Sequence, residues 1–354
     1  MSWYLLDHPE RIDTPALLIY KDRVEKNIGT MISIAGDPER LVPHVKTHKM
    51  EEIVRMQIEK GITRFKCATI AEAEMTARAG AKFVLLAYQL NVPKVDRYKE
   101  LKKKYPQTEW ASLVDNIESA QLLKEGQVYL DIDNGMHRTG IAPGKAQTLI
   151  NQIREIGHLT VRGLHVYDGH IREVDFEVRK AQVETGMESI RQLLKQTGPL
   201  EVIAGGTPTF TVHALQRERL CSPGTCLLWD RGYGNMLKEQ PFLEAAVLMT
   251  RVISHPGPGL FTTDLGHKSV SAENPIDRRV FFLNLDGYEV ISQSEEHLVV
   301  RVEPGKEPVV GTVLYGVPYH VCPSVALHDE ARVIEGGKEI AAWTVIARRR
   351  RIEI

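Results

Sequence analysis

Short apolar runs rich in β-branched residues alternate with amphipathic stretches over the first two thirds of the chain. The apolar runs predict strands at Ala16–Tyr20, Leu41–Lys46, Phe65–Thr69, Phe83–Tyr88, Trp110–Val114, Val128–Asp133, Val161–Tyr167, Glu201–Ala204 and Leu220–Leu228. Apolar residues three and four positions apart predict helices at Lys49–Lys60, Ala71–Ala79, Ile117–Glu125, Pro143–Ile156 and Glu177–Gln196. This alternation favours a parallel sheet, and eight units after the first strand fit a closed (β/α)8 TIM barrel.

The pattern changes after about Glu244, where helical periodicity gives way to strands separated by Gly, Pro or charged turns. These strands are predicted at Ala245–Val252, Arg279–Leu285, Tyr288–Gln293, His297–Val302, Thr312–Tyr315 and Ile340–Ala347. We therefore expect a barrel over residues 15–242 and an all-β domain over residues 243–354, with residues 1–14 returning to it.

Composition narrows the class of protein. The chain has 354 residues and a net charge of −1, which argues against a nucleic-acid partner because such proteins show a basic stripe. No apolar run reaches the roughly 18 residues of a membrane span, and no signal peptide precedes the first strand. The four cysteines lack a C-x-x-C pair, and we expect a cytoplasmic protein with reduced thiols.

The segment LVPHVKTHKM places Lys46 at the end of the first barrel strand, on one face with Val42 and His44. Catalytic groups of such barrels lie at the carboxyl ends of the strands, where a desolvated lysine can form a Schiff base. Lys49, at the start of the next helix, is the alternative. Taken alone, either lysine is typical of a solvated loop.

Two Gly/Thr-rich turns follow the seventh and eighth strands: AGGTPTF at Ala204–Phe210 and PGTC at Pro223–Cys226. Loops at these positions of a TIM barrel often bind phosphate, through backbone N–H groups that glycine exposes. Each motif by itself is also typical of a plain turn. A lysine facing such a phosphate cradle across the barrel mouth is how an enzyme holds pyridoxal phosphate (PLP).

Two further loops bring polar side chains to the same end. DIDNGMHRTGI leaves the fifth strand with Arg138, which could contact the cofactor or a substrate carboxylate, or simply pair with Asp131 or Asp133. LHVYDGHI leaves the sixth strand with Tyr167, which can pack on a cofactor ring, and His170, a candidate base. Simple loop capping would explain the second pair equally well.

The segment YHVCPSVALHD in the β domain spaces His320 and Cys322 two residues apart, on one face of a predicted strand. An imidazole and a thiolate are good zinc ligands, and a two-ligand site leaves positions open for substrate. An isolated H-x-C is usually not a metal site.

Taken together, PHVKTHK, ATIAEAE, DNGMHRTGI, GGTPT, PGT and H-x-C-P occur in the order seen in one enzyme group. Over nearly its whole length the chain resembles the D-threonine aldolase and D-serine dehydratase group, PLP enzymes of the alanine-racemase-like fold type III. The resemblance implies a homodimer that acts on small D-amino acids and uses a divalent metal (Zn, Mn or Mg). It implies that Lys46 carries PLP. The other residues implied are Arg138 and Tyr167 around the ring, Gly206, Thr207, Gly224 and Thr225 at the phosphate, and His320 and Cys322 at the metal.

Two features of the resemblance point to different reactions. H-x-C is similar to the dehydratases, whereas Tyr167–His170 is more similar to the aldolases, in which a histidine acts as base. We expect a D-threonine aldolase that forms glycine and acetaldehyde, with His170 as base. The alternatives are a D-serine dehydratase, in which Lys46 removes the α-proton, and a metal-free amino-acid racemase. A non-enzymatic PLP carrier would be a bare barrel, so the β domain argues against it.

Overall fold

The structure, a computed structural model, describes residues 2–354. Strand β1 (Ala16–Tyr20) and helix α1 (Lys21–Ala35) precede the barrel. The barrel elements then follow in strict alternation: α2 (Glu51–Glu59), β2 (Arg64–Cys67), α3 (Ile70–Arg78), β3 (Phe83–Gln89), α4 (Val92–Lys104), β4 (Glu109–Val114), α5 (Ile117–Leu123), β5 (Gly126–Ile132), α6 (Pro143–Glu155), β6 (Leu159–Val166), α7 (Phe176–Thr197), β7 (Glu201–Ala204), α8 (Phe210–Ala214), β8 (Arg219–Cys221) and α9 (Arg231–Met236).

Strands β2 to β8 pair in sequence order, and every pairing is parallel. Residues 41–45 close the ring between β8 and β2, through parallel bridges from Leu41 to Cys221 and from His44 to Lys66. Together with these residues, the parallel sheet forms the predicted (β/α)8 barrel.

The closing segment is less regular than the predicted strand Leu41–Lys46. Its hydrogen bonds alternate between neighbours: the N–H of Val42 donates to β8, and the carbonyl of Pro43 accepts from β2 at 2.9 Å. Pro43 has no N–H to donate, so a continuous ladder cannot form through it. Lys46 consequently lies in a turn just beyond the bridged residues.

The lower part of the barrel lumen is filled by apolar side chains. They are Val42, Phe83, Leu85, Ala111, Leu113, Tyr129 and Ile203. A second, larger layer packs the outer faces of the strands against the helices. Because the lumen is packed, polar side chains at the carboxyl ends of the strands are directed into the open end of the barrel.

A second sheet forms the β domain. Its elements are β9 (Ala246–Gly257), β10 (Leu260–Thr263), β11 (Val280–Phe282), β12 (Glu289–Gln293), β13 (Leu298–Arg301), β14 (Val313–Pro318), the short helix α10 (Val321–Val325), β15 (Glu330–Glu335) and β16 (Lys338–Thr344). The strands run in the order β12-β13-β10-β9-β1-β15-β16, and β14 joins β9 to β11. Short 3-10 turns lie at Pro9–Arg11, Pro38–Arg40, Thr225–Leu227, Ile276–Arg278 and Ile346–Arg348.

Strand β1 belongs to this second sheet, although its sequence leads directly into the barrel. It pairs antiparallel with β9 and parallel with β15. All of its residues are buried, as expected for a central strand apolar on both faces. Such a run has the same sequence pattern in a barrel, which is why the sequence did not distinguish the two sheets.

No helix within residues 2–354 is long and apolar enough to cross a membrane. Cys67, Cys221 and Cys226 are buried free thiols, and Cys322 is a partly exposed one. Of the four, Cys322 is therefore the thiol that a bound ligand can reach most readily.

Candidate active site

Lys46 lies at the barrel mouth with an exposed side chain. Its backbone N–H donates to His44 Nδ1 at 3.3 Å, and its side chain forms no ion pair with any described residue. Lys49 differs, because its ammonium pairs with the buried carboxylate of Glu72. Of the two lysines in the motif, Lys46 therefore has the amine that is free to react.

The two predicted phosphate turns meet at one oxygen atom. The backbone N–H groups of Gly224 and Thr225 both donate to Thr207 Oγ1, at 3.2 and 3.1 Å. Successive N–H groups that converge in this way form an anion-binding nest. A Cβ on Gly224 would lie 2.8 Å from the His44 carbonyl oxygen, so the turn has no room for a side chain there. The donors and the shape both fit the phosphate of PLP.

A buried polar network anchors the loop that contains Thr207. Thr209 donates to Asp168 Oδ1 at 2.6 Å, and His213 bonds the other carboxylate oxygen at 2.7 Å. Although burial favours protonation, His213 and Thr209 hold the pKa of Asp168 below its ordinary value. This network was not predictable from the sequence, because no motif pairs His213 with an aspartate 45 residues away.

Tyr167 and Arg138 are brought together as the sequence predicted. The Arg138 guanidinium lies 4.8 Å from the centre of the Tyr167 ring. Gly169 and Gly206 leave room for the ring: a Cβ on Gly169 would overlap the Tyr167 hydroxyl oxygen, and a Cβ on Gly206 would be 3.0 Å from the ring. Arg138 has no ion pair with Asp131, which bonds other partners, so the simple pairing considered for it is not observed.

His170 lies on the exposed rim of the mouth, just beyond Tyr167. Its ring packs over the Gly135 backbone, where a Cβ would be 2.8 Å from Nε2. The ring makes no hydrogen bond to any described residue. The imidazole is thus accessible, and its role as base stays a prediction.

Cys322 links the β domain to the barrel mouth. Its sulfur lies 3.2 Å from Thr47 Oγ1 and 3.5 Å from Thr225 Oγ1. The expected strand is wrong here, because His320 caps the start of α10 and Cys322 lies in its first turn. The side chains of His320 and Cys322 are still close together, because both residues lie at the start of the same helix.

His320 and Cys322 shift the pKa values of each other's side chains. Burial opposes the charge on His320, but the hydrogen bond and charge of Cys322, together with Glu273 and Asp230, outweigh it and raise the His320 pKa to about 9. In turn, His320 lowers the pKa of the Cys322 thiol against the effect of burial. Glu273 bonds His320 Nδ1, which leaves Nε2 available. Within residues 2–354 no group of three or more His, Cys, Asp or Glu is arranged to hold a metal ion. The metal role of His320 and Cys322 stays a prediction.

A further lysine, Lys66, lies below the mouth and was not predicted from the sequence. Lys66 Nζ is 3.3 Å from His165 Nε2, and His165 Nδ1 is 2.8 Å from Asp131. Gln89 and Thr139 also donate to Asp131. Burial, and next the charge of Lys46, lower the pKa of Lys66 to about 7. The centre of the Tyr167 ring lies 5.7 Å from Lys66 Nζ, so the lysine end of this hydrogen-bond chain is close to the ring.

PLP-dependent barrel enzymes are the class defined by a free lysine that lies opposite converging N–H groups able to bind phosphate. In such enzymes both lie at the open end of a (β/α)8 barrel, as they do here. Residues 19–231 match the family model of the alanine racemase N-terminal domain, and residues 245–334 match that of a putative serine dehydratase domain. The chain belongs to the alanine racemase N-terminal domain family.

Individual relatives have the same two-domain span. The chain is 29% identical to 3-hydroxy-D-aspartate aldolase of Paracoccus denitrificans (strain Pd 1222), over 95% of this chain and 92% of that protein. It is 24% identical to D-threo-3-hydroxyaspartate dehydratase of Delftia sp. (strain HT23), over 94% and 97%. The crystal structure of D-threonine aldolase from Filomicrobium marinum is 27% identical and superposes with a TM-score of 0.86, over 95% and 96%. The protein is thus a PLP-dependent lyase.

Proposed function

We propose that this lyase cleaves D-3-hydroxy amino acids between Cα and Cβ, with D-threonine giving glycine and acetaldehyde. The observation that supports this most is the position of Cys322, whose sulfur contacts the residue after Lys46 and also the phosphate turn. A metal at His320 and Cys322 would therefore lie beside a substrate that is bound through its amino group. Relatives that are D-threonine and 3-hydroxy-D-aspartate aldolases support the same substrate class.

The residues of the barrel mouth have distinct tasks in this proposal. Lys46 would hold the cofactor covalently through its amine, and the substrate amine would take the place of Lys46 as the lysine amine is released. The N–H groups of Gly224 and Thr225 hold the phosphate, with Gly206 and Thr207 on the facing turn. When bound, PLP supplies an electron sink at the substrate Cα. Tyr167 and Arg138 flank the ring side of the site.

His320 Nε2 and Cys322 Sγ would hold the divalent metal, which supplies a Lewis acid toward the substrate β-hydroxyl. Glu273, bonded to His320 Nδ1, fixes the tautomer in which Nε2 can ligate. Both donor types suit Zn, and the open positions also allow Mn or Mg to be tested.

His170 is the proposed base for the bond cleavage. Its accessible imidazole nitrogen takes the proton of the β-hydroxyl, the C–O bond becomes the aldehyde carbonyl, and the Cα–Cβ electron pair remains on Cα. Protonation of Cα then yields glycine. The exposure of His170 at the rim and the absence of a hydrogen bond from its ring to any described residue support this role.

A D-serine dehydratase is the second candidate, favoured by the match of residues 245–334 to a putative serine dehydratase domain. In that reaction Lys46 removes the α-proton and the hydroxyl leaves as water, giving a 2-oxo acid and ammonia. A metal-free racemase would need no ligand pair at His320 and Cys322. Metal dependence therefore separates the racemase from both lyases.

Product analysis tests the proposal. The purified protein, loaded with PLP and Zn or Mn, is incubated separately with D-threonine, D-serine and D-3-hydroxyaspartate. We expect equal amounts of glycine and acetaldehyde from D-threonine. Formation of 2-oxobutanoate and ammonia instead would replace the aldolase with the dehydratase, and recovery of L-allo-threonine, the product of inversion at Cα alone, would indicate the racemase.

We also propose a cytoplasmic homodimer that has neither a nucleic-acid nor a membrane partner. The near-zero net charge supports the first exclusion. Light scattering of the purified holoenzyme tests the dimer, and a monomer mass for the fully active protein would contradict it.

A further inference from the structure

The buried amine of Lys66 has no role in the proposed mechanism. Lys66, on β2, has a relative exposure of 3%, and the only hydrogen-bond partner of its amine among the described residues is His165 Nε2. An ammonium group has three N–H donors. A lysine this deeply buried costs folding free energy unless its remaining donors find a partner.

The hydrogen bonds around Lys66 fix its orientation. Asp131 accepts from Nδ1 of His165, so Nε2 of the same ring is left to accept from Lys66. Burial and the charge of Lys66 lower the pKa of His165, which keeps that ring neutral. The amine is thus held at one end of an oriented chain that ends at a carboxylate.

The groups facing the Lys66 amine come from several elements of the barrel. They are His44 and Lys46 on the closing segment, Asp131 and Arg138 at the end of β5 and in the loop after it, and His165 and Asp168 at the end of β6. Asp131 and Asp168 are occupied by Gln89, Thr139, His165, Thr209 and His213. Two further cations, Lys46 and Arg138, lie near the free donors of Lys66. Because the oxygens of both carboxylates already accept hydrogen bonds from other groups, this set of donors is suited to an added anionic ligand.

We propose that Lys66 is a cofactor-binding residue: its amine donates to an anionic oxygen of bound PLP, and it takes up a proton as the cofactor binds. The inference rests on the proposed PLP site at Lys46. In the cofactor-free protein the Lys66 pKa is about 7, so the amine is charged below that pH and largely neutral above it. An anionic ligand favours the charged form, so binding raises this pKa.

PLP binding and protonation of Lys66 favour each other, and this linkage sets the direction in which PLP affinity changes with pH. Above about pH 7, PLP binding must first protonate Lys66, so the contribution of Lys66 to affinity falls by up to about tenfold per pH unit. Below about pH 7 the amine is already charged and its contribution is complete. PLP has ionisations of its own, so the test compares variants at each pH.

The experiment titrates cofactor-free protein with PLP from about pH 6 to about pH 9 and follows the cofactor absorbance. At the low end we expect Lys66→Met to bind PLP at least about tenfold more weakly than wild type, the usual effect of a charge-assisted hydrogen bond. The ratio should shrink toward unity as the pH rises. Lys66→Arg, which keeps its charge, should remove the pH dependence of the ratio. Lys82→Met, exposed at the opposite end of the barrel, is the control and should match wild type.

Two failures can be told apart. If wild-type protein takes up no PLP at any pH, the proposed function and this inference both fall. If wild type binds PLP through Lys46 but Lys66→Met binds it equally well at the low end of the range, only the inference falls. Should Lys66→Met not fold, Lys66→Arg decides: an affinity with the same pH profile as wild type overturns the proton uptake.

Discussion

The sulfur of Cys322 lies 3.2 Å from the hydroxyl oxygen of Thr47, the residue that follows Lys46. This contact joins the β domain to the segment that we propose binds the cofactor. The same sulfur is 3.5 Å from Thr225 in the phosphate turn. The proposed metal ligand thus contacts both ends of the proposed PLP site.

The first prediction concerns this metal pair. Prolonged chelation should abolish lyase activity while leaving the absorbance of bound PLP unchanged, since the ligands are distinct from Lys46 and the phosphate turns. Adding Zn or Mn back should restore activity to the chelated wild type but not to Cys322→Ser, which lacks the thiolate. Full activity of a metal-free sample would rule out the metal site.

The second prediction concerns the identity of the reactive lysine. Borohydride reduction of the yellow holoenzyme should bleach it and attach the cofactor to Lys46, as read by peptide mass mapping. Lys49 is engaged by Glu72, and Lys66 by His165, so neither should be labelled. Recovery of the adduct on either of those two lysines would show the assignment to be wrong.

The third prediction tests the accessible base. His170→Ala should keep the visible spectrum of bound PLP and lose cleavage by about 100- to 10,000-fold, the usual contribution of a general base. His158→Ala is the matched control, because His158 is exposed at the opposite end of the same strand β6. Near-normal cleavage by His170→Ala would show that His170 is a loop residue that does not act as the base.

The fourth prediction uses the network that anchors the phosphate loop. Because the folded-state pKa of Asp168 is lowered, its carboxylate stabilises the fold above the ordinary Asp pKa of about 4, and this stabilisation is lost as the pH falls below that value. Asp168→Asn should therefore cost about 3 kcal/mol of unfolding free energy near neutral pH. The difference from wild type should shrink in acid, as measured by urea unfolding at several pH values. A difference that does not change with pH would contradict this account of Asp168.

The fold was predictable where its pattern is local. Alternating apolar runs and amphipathic stretches identified the barrel, and turn residues identified the β domain. Pairing partners were not predictable, because β1 is equally apolar in either sheet and only long-range contacts with β9 and β15 place it. The interruption of the first barrel strand at Pro43 does have a local sequence signal, because proline has no N–H to donate to the hydrogen-bond ladder of a sheet.

The site divides in the same way. Lys46 and the two Gly/Thr turns were predictable, because their place at strand ends follows from the order of elements along the chain. Lys66 and Glu273 were not. Their roles arise from contacts with His165, 99 residues away, and His320, 47 residues away. Neither spacing has a sequence signature.

The central claim is that catalysis breaks Cα–Cβ and leaves the Cα–H bond of the substrate intact. The most direct measurement follows D-threonine deuterated at Cα, by mass spectrometry at early times. The account predicts glycine that retains one deuterium, equimolar acetaldehyde, and no primary isotope effect on the rate. Loss of the deuterium to solvent, with a primary isotope effect and formation of 2-oxobutanoate, would contradict it.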